Sequence, residues 1–149
     1  MSLQNDIMGA MKVAMKEKNQ MALQALRAIK SEILLAQTET GSKEELTSDQ
    51  EIKILSKLVK QRKDSAAIFS EQNRVDLAEP ELAQAKIISQ FLPEQLSESE
   101  IEKVVLDTIA KVGAEGMKDM GKVMGIVNKE LAGKADGKTI STIVKSKLT

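Results

Sequence analysis

The 149-residue sequence contains no cysteine, no histidine, no tryptophan and no tyrosine, and its only aromatic side chains are Phe69 and Phe91. The absence of cysteine excludes a disulfide framework, a thiolate nucleophile and a cysteine-based zinc site. The absence of histidine removes the usual general base near neutral pH and the commonest metal ligand. Two aromatic rings are too few to stack unpaired bases, so any contact with RNA is expected to use backbone and shape.

Long apolar runs are also missing, since none approaches the ~18 residues of a membrane span. The first residues, MSLQNDIMGAMK, have neither a basic start nor the uninterrupted apolar stretch typical of a signal peptide. We therefore expect a cytoplasmic protein that does not associate with membranes.

The net charge is zero, with 22 basic and 22 acidic side chains, yet the charges occur in blocks along the chain. Basic residues predominate in 1–30, 50–64 and 132–149, and acidic residues predominate in 31–49 and 94–112. Such blocks can form charged surface patches, although helix faces exposed to water are the plainer interpretation.

Apolar residues recur at intervals of three and four, and no segment shows the alternation of a half-buried strand, which predicts an all-α protein. We expect an N-terminal helical domain of about four helices in residues 1–93 and a small three-helix domain in residues 94–149. The boundary falls at FLPEQL, because the residue before a proline disfavours helix and the charge pattern changes there. Pro80 lacks the N–H that a helix interior needs, so the fourth helix should begin near Glu79 or be distorted there, and should end before Pro93.

Capping residues predict several helix ends. Thr47 with Gln50, and Ser97 with Glu100, each match a capping box at a helix N-terminus. Gly113 is placed to close the helix that follows Ser97.

The next helix carries apolar residues at intervals of three and four, namely Met117, Met120, Met124, Val127 and Leu131. This pattern predicts a core-facing stripe, with a soft peptide-binding groove as the alternative. Gly121 and Gly125 would let another backbone approach that helix closely.

The segment GKADGKT, residues 133–139, looks at first like a phosphate-binding loop. A nucleotide loop needs four residues between its first glycine and Gly-Lys-Thr and follows a buried strand, whereas this segment has three and follows a helical pattern. We therefore expect no nucleotide cofactor, and instead a corner where Gly133 ends one helix and Asp136 caps the next. Lys134 and Lys138 surround the N-terminus of that last helix, so the corner is either a phosphate-binding site or a purely structural turn.

Arg62 interrupts the apolar stripe of the third helix. Such an arginine usually lays its aliphatic stem on the core and directs its guanidinium to water or to a carboxylate. The alternative is a contact with phosphate, to which the neighbouring Lys63 would contribute.

Five segments resemble the GatB/YqeY family over essentially the whole chain: KQRKDSAAIF, RVDLAEPE, FLPEQL, DMGKVMG and GKADGKTISTIVKSKL. The resemblance implies a YqeY-like N-terminal helical domain and a C-terminal domain similar to the tail of the B subunit of glutamine-dependent aspartyl/glutamyl-tRNA amidotransferase. That tail is understood to help hold the tRNA body, and a YqeY-like domain aids tRNA binding in some glutaminyl-tRNA synthetases. Asp136 and Gly137 depart from the Asn-Pro that is more frequent in the amidotransferase.

The resemblance therefore implies a non-catalytic, tRNA-binding accessory module, with an aminoacyl-tRNA synthetase or an amidotransferase subunit as its protein partner. The candidate nucleic-acid-binding residues are Lys122, Lys129, Lys134, Lys138, Lys145, Arg62 and Lys63. Two alternatives remain open: a subunit or relic of a carbon–nitrogen ligase with glutamine as amido-N-donor, and a helical protein–protein adaptor.

The ligase alternative requires a nucleophile. Without cysteine or histidine only a serine–lysine arrangement is left, and Ser141 with Lys145 resembles an ordinary pair of solvent-facing neighbours on one helix. We therefore predict no catalytic residue, metal or cofactor in the isolated chain.

Overall fold

The computed structural model of the protein describes residues 2–39, 41 and 45–149. Within these ranges it contains seven α-helices, one short 3-10 helix and no strand, which confirms the predicted all-α fold. The chain divides into two compact units, residues 1–92 and 93–149. No helix in the described ranges combines the length and the apolar character needed to cross a membrane.

The first unit contains four helices: α1 (Leu3–Lys16), α2 (Gln20–Glu39), α3 (Ser48–Glu71) and α4 (Val75–Ser89). All four contribute to one core, in which Ile7, Ile29, Leu55 and Ile88 are at most 1% exposed. The capping box that opens α3 is present as predicted. Thr47 Oγ1 accepts a hydrogen bond from the Gln50 backbone N–H at 3.2 Å, and Gln50 Oε1 accepts one from the Thr47 N–H at 2.9 Å.

The start of α4 differs from the expectation near Glu79, because the helix begins at Val75 and contains Pro80. The proline removes one helical hydrogen bond, the one that would reach the Asp76 carbonyl. At the start of the helix the Arg74 guanidinium donates hydrogen bonds of 3.0 and 2.9 Å to the Asp76 carboxylate. The same contact lowers the pKa of the Asp76 carboxyl group below its ordinary value. The helix ends at Ser89, before Pro93, as predicted.

The second unit contains α5 (Glu98–Val112), the 3-10 helix Met117–Asp119, α6 (Met120–Glu130) and α7 (Gly137–Leu148). Its core is built on Val105, Val123, Val127 and Val144, which are all fully buried. The predicted helix ends of α5 are confirmed. The capping box at Ser97 is formed, and Gly113 ends the helix in the left-handed conformation with φ 65°.

The predicted apolar stripe of α6 packs into the core at four of its five positions. Val127 and Leu131 are buried and Met120 and Met124 are half-buried against the same core, whereas Met117 lies in the 3-10 helix and is 42% exposed. Val123, which was not in the predicted stripe, is fully buried. The α-helix begins only at Met120, so Met117 does not share the face that packs inward. The expected close approach of another backbone at Gly121 and Gly125 is wrong, because a Cβ built on either glycine meets no described atom of another element within 4 Å.

Ile140 and Ile126 provide a matched test of this core, since they are 2% and 41% exposed in the same unit. Ile140→Ala should lower the free energy of unfolding by about 2–5 kcal/mol, because it leaves a cavity among buried aliphatic side chains. Ile126→Ala should change it by no more than about 0.5 kcal/mol. Denaturant unfolding followed by circular dichroism measures both variants, and equal losses would contradict the assignment of the inward face of α7.

Candidate nucleic-acid interface

The corner between α6 and α7 has the local structure that its residues predicted. Gly133 adopts φ 76°, a conformation that favours glycine, and it lies just beyond the end of α6. The Lys134 N–H donates to the Leu131 carbonyl at 2.9 Å. Asp136 caps α7, and its Oδ1 accepts a hydrogen bond from the Lys138 backbone N–H at 3.3 Å.

A second segment, far away in sequence, holds the same corner. Gln95 Nε2 donates to the Gly133 carbonyl at 2.6 Å, and the Leu96 backbone N–H donates to the Lys134 carbonyl at 2.8 Å. Two consecutive carbonyls of the turn are therefore bonded to the chain that leads into α5. The sequence pattern identified FLPEQL only as a boundary, because nothing local marks a hydrogen bond that spans 38 residues.

The lysines near this corner point away from the core. On α7, Lys138 and Lys145 are exposed and lie seven residues apart, which places them on one face. On α6, Lys122 and Lys129 have the same spacing and are also exposed. Lys134 is exposed within the turn itself.

The ion pairs of the second unit divide its lysines into two groups. Lys147 Nζ lies 2.6 Å from the Glu102 carboxylate, so its charge is neutralised on the side of α5. Lys118 lies 3.9 Å from Glu115. In residues 93–149, all of which the structure describes, seven lysines have no carboxylate oxygen within 4 Å: Lys103 and Lys111 on α5, and Lys122, Lys129, Lys134, Lys138 and Lys145 on α6, α7 and the corner between them. The last five are the lysines of this unit that the sequence suggested for phosphate contact.

Arg62 and Lys63 belong to the first unit, whereas those five lysines belong to the second. Arg62 is half-buried, and its Nε donates to Gln84 Oε1 of α4 at 3.2 Å. The Gln84 amide in turn donates to Gln24 Oε1 of α2 at 3.3 Å. The arginine thus joins three helices through side-chain amides rather than through a carboxylate. Lys63 is exposed.

The groove beside Arg62 is a poor place for phosphate. It is also lined by Asp64 and Glu81, whose negative charges oppose the approach of an anion. The surroundings of Arg62 therefore favour the packing interpretation over a phosphate contact.

No hydrogen bond between Ser141 and Lys145 is found in the described residues, where Ser141 is half-buried and Lys145 is exposed. No group of three or more aspartate or glutamate side chains there is arranged to hold a metal ion.

The second unit is thus a small three-helix module with unpaired lysines around a braced corner. The whole chain belongs to the YqeY family, described as Yqey-like protein, whose sequence profile matches residues 4–148. This confirms the family that the sequence motifs indicated.

Two groups of relatives resemble the chain over different lengths. Altered inheritance of mitochondria protein 41, mitochondrial, from Pyrenophora tritici-repentis is 32% identical over 128 residues, which cover 84% of this chain and 68% of that protein. Its counterpart from Clavispora lusitaniae is 33% identical over 126 residues, covering 82% and 72%. The names of these two relatives include the word mitochondrial. The cytoplasmic location expected for the present chain stays a prediction.

Similarity to amidotransferases is confined to a shorter segment. The E subunit of glutamyl-tRNA(Gln) amidotransferase from Thermococcus gammatolerans is 34% identical over 73 residues, which cover 46% of this chain and only 12% of that protein. Its counterpart from Methanococcus maripaludis is 40% identical over 68 residues, covering 46% and 11%. The chain is therefore related to the tail regions of these larger proteins.

The role of Arg62 can be separated from that of its neighbour. Arg62→Ala should lower the free energy of unfolding by about 1 kcal/mol, because it removes the Gln84 contact and the packing of the aliphatic stem. Lys63→Ala, which removes the same charge from an exposed position, should change stability by less than about 0.5 kcal/mol. Unchanged stability of Arg62→Ala together with a loss of tRNA affinity would assign this arginine to phosphate instead.

Proposed function

We propose that the protein is a non-catalytic accessory module that binds the body of tRNA through phosphates and shape. The observation that carries this proposal is the set of five exposed, unpaired lysines on α6, α7 and their connecting corner. Their ammonium groups are available to an external polyanion because no carboxylate oxygen of the described structure lies within 4 Å of them.

The spacing of these lysines suits a phosphate backbone. Lys138 and Lys145 are separated by two turns, roughly 10 Å along the helix axis at 1.5 Å per residue. Lys122 and Lys129 have the same separation on α6. Each pair can therefore reach different phosphates of one backbone, and every phosphate that is neutralised releases condensed counterions.

The N-terminus of α7 contributes less than its position suggested. The Asp136 carboxylate already accepts a hydrogen bond from the Lys138 N–H, and its negative charge lies where an anion would approach. Lysine side chains, rather than backbone N–H groups, should therefore make the principal phosphate contacts. The proposed contacts are therefore made by lysine ammonium groups at the corner and on the two helices that it connects.

Base recognition is not part of the proposal, because residues 93–149 contain no aromatic side chain on which a base could stack. Contacts to phosphate and sugar position a nucleic acid without reading its sequence. We therefore expect the module to bind tRNAs of similar shape with similar affinity.

The relationship to the amidotransferase tails supports this function, since the name of those proteins identifies glutamyl-tRNA(Gln) as the molecule with which they are concerned. We propose by the same relationship that the protein partner is an aminoacyl-tRNA synthetase or an amidotransferase subunit. In such an assembly the present chain would supply tRNA affinity while the partner performed the chemistry.

The salt dependence of tRNA binding tests the proposed interface. Replacing Lys134 and Lys138 together by alanine removes two phosphate contacts, so the plot of log affinity against log salt should become shallower by roughly one to two units. Filter binding to total tRNA at several salt concentrations measures this slope.

The matched control is Lys103→Ala with Lys111→Ala, which removes two exposed lysines from α5 of the same unit. The control should retain a slope close to that of the parent, because Lys103 and Lys111 lie on α5, outside the proposed interface. The two double variants have the same net charge, so they differ only in the position of the charges removed. A parent protein that does not bind tRNA, or equal slopes for both double variants, would refute the interface.

A separate measurement addresses the ligase alternative. The purified chain, given glutamine, ATP, Mg²⁺ and mischarged Glu-tRNA, should form no Gln-tRNA, because it lacks cysteine, histidine and a nucleotide loop. Analysis of the aminoacyl group after deacylation detects the product. Turnover that Ser141→Ala or Lys145→Ala abolishes would show that the isolated chain is an enzyme.

A further inference from the structure

A surface groove in the first unit lies between α2 and α3, and both helices line it in the same way. α2 contributes Glu32, Leu35, Ala36 and Glu39, and α3 contributes Gln50, Lys53, Ile54 and Lys57. Each set follows the spacing i, i+3, i+4 and i+7, so each is one continuous helix face. Leu35 is 52% exposed although it lies at the centre of its face, and Ile54 is half-buried opposite it.

The two walls of this groove carry opposite charges. Glu32 and Glu39 make the α2 wall acidic, whereas Lys53 and Lys57 make the α3 wall basic. Lys57 and Glu32 approach to 4.0 Å and mark one end of the groove. Glu39 and Lys53 lie toward the other end, and neither forms an ion pair within the described chain.

We propose that this groove is the contact surface of a homodimer, in which a second copy of the chain packs the same groove against it. A two-fold axis running along the groove brings α2 of each copy opposite α3 of the other. The acidic wall of one copy then meets the basic wall of its partner on both sides of the axis. Leu35 and Ile54 of the two copies form the apolar centre.

Charge complementarity selects the second copy as the occupant. The surface has an acidic half and a basic half of equal size about an apolar centre, so its complement under the two-fold rotation is itself. In the dimer Glu39 of each copy faces Lys53 of the other, which gives each side chain an ion-pair partner that it lacks among the described residues of its own chain. Because only two turns of each helix take part, the dimer should be weak, with a dissociation constant in the micromolar range.

The test is an exchange of charges between two variants of the full chain. Lys53→Glu places like charges opposite each other twice in its homodimer, and so does Glu39→Lys. Each variant alone should therefore be monomeric in sedimentation equilibrium at concentrations where the parent is dimeric. An equimolar mixture should recover the dimer, because both contacts across the axis again join opposite charges. The Glu32 and Lys57 pair is unchanged in all samples.

The apolar centre has its own matched control in two neighbouring leucines. Leu35→Ala should weaken dimerisation about tenfold or more, corresponding to the loss of one well-packed anchor. Leu34→Ala should leave the dissociation constant unchanged, since Leu34 is 47% exposed but does not line the groove. Circular dichroism establishes that each variant is folded.

A parent chain that stays monomeric at all concentrations would refute the proposal. So would a dimer that tolerates both charge reversals, or a mixture of the two variants that stays monomeric. Dimerisation is measured without RNA. The absence of a dimer would therefore not contradict the proposed tRNA-binding function.

Discussion

The position of the corner in the second unit depends on two hydrogen bonds that join the chain before α5 to the turn before α7. Gln95 and Leu96 bind the carbonyls of Gly133 and Lys134, which would otherwise be free acceptors at the end of α6. The turn is consequently held from both sides, by its own helix caps and by a distant segment. These contacts fix the conformation of the turn that connects the two lysine-bearing helices, α6 and α7.

A chain of zero net charge can still present a basic surface when ion pairing is uneven. In the second unit, Glu102 of α5 forms an ion pair with Lys147, whereas the exposed lysines on the outer faces of α6 and α7 have no acidic partner within 4 Å. The sequence as a whole has no net charge, but folding leaves unpaired lysines on the surface of this unit. The first unit shows the same principle in another form, with an acidic helix face beside a basic one along one groove.

Features governed by neighbouring residues were predictable from the sequence. The capping boxes at Thr47 and Ser97, the left-handed Gly113 and the cap at Asp136 each depend on two to four consecutive positions. Periodicity likewise indicated the all-α fold, and the exposed lysines followed from their place outside the apolar stripes. Local pattern therefore indicated which side chains are available at the candidate site.

Features governed by distant residues were not predictable. The start of α4 before Pro80 depends on how tertiary packing offsets one lost hydrogen bond, and the exposure of Met117 depends on the α-helix beginning at Met120 rather than at Met117. The bond from Gln95 to Gly133 has no local signal at all. Periodicity also left the role of Arg62 open, because its hydrogen-bond partner Gln84 is 22 residues away in the sequence.

At the cap of α7, the shape of the corner and its electrostatic potential depend on different properties of the Asp136 side chain. An amide oxygen at position 136 could accept the same hydrogen bond from the Lys138 N–H as the Asp136 carboxylate does, so asparagine would keep the turn. It would also remove a full negative charge from among the lysines. Exchange of one side-chain atom, in Asp136→Asn, would thus adjust the attraction for polyanions without altering the backbone.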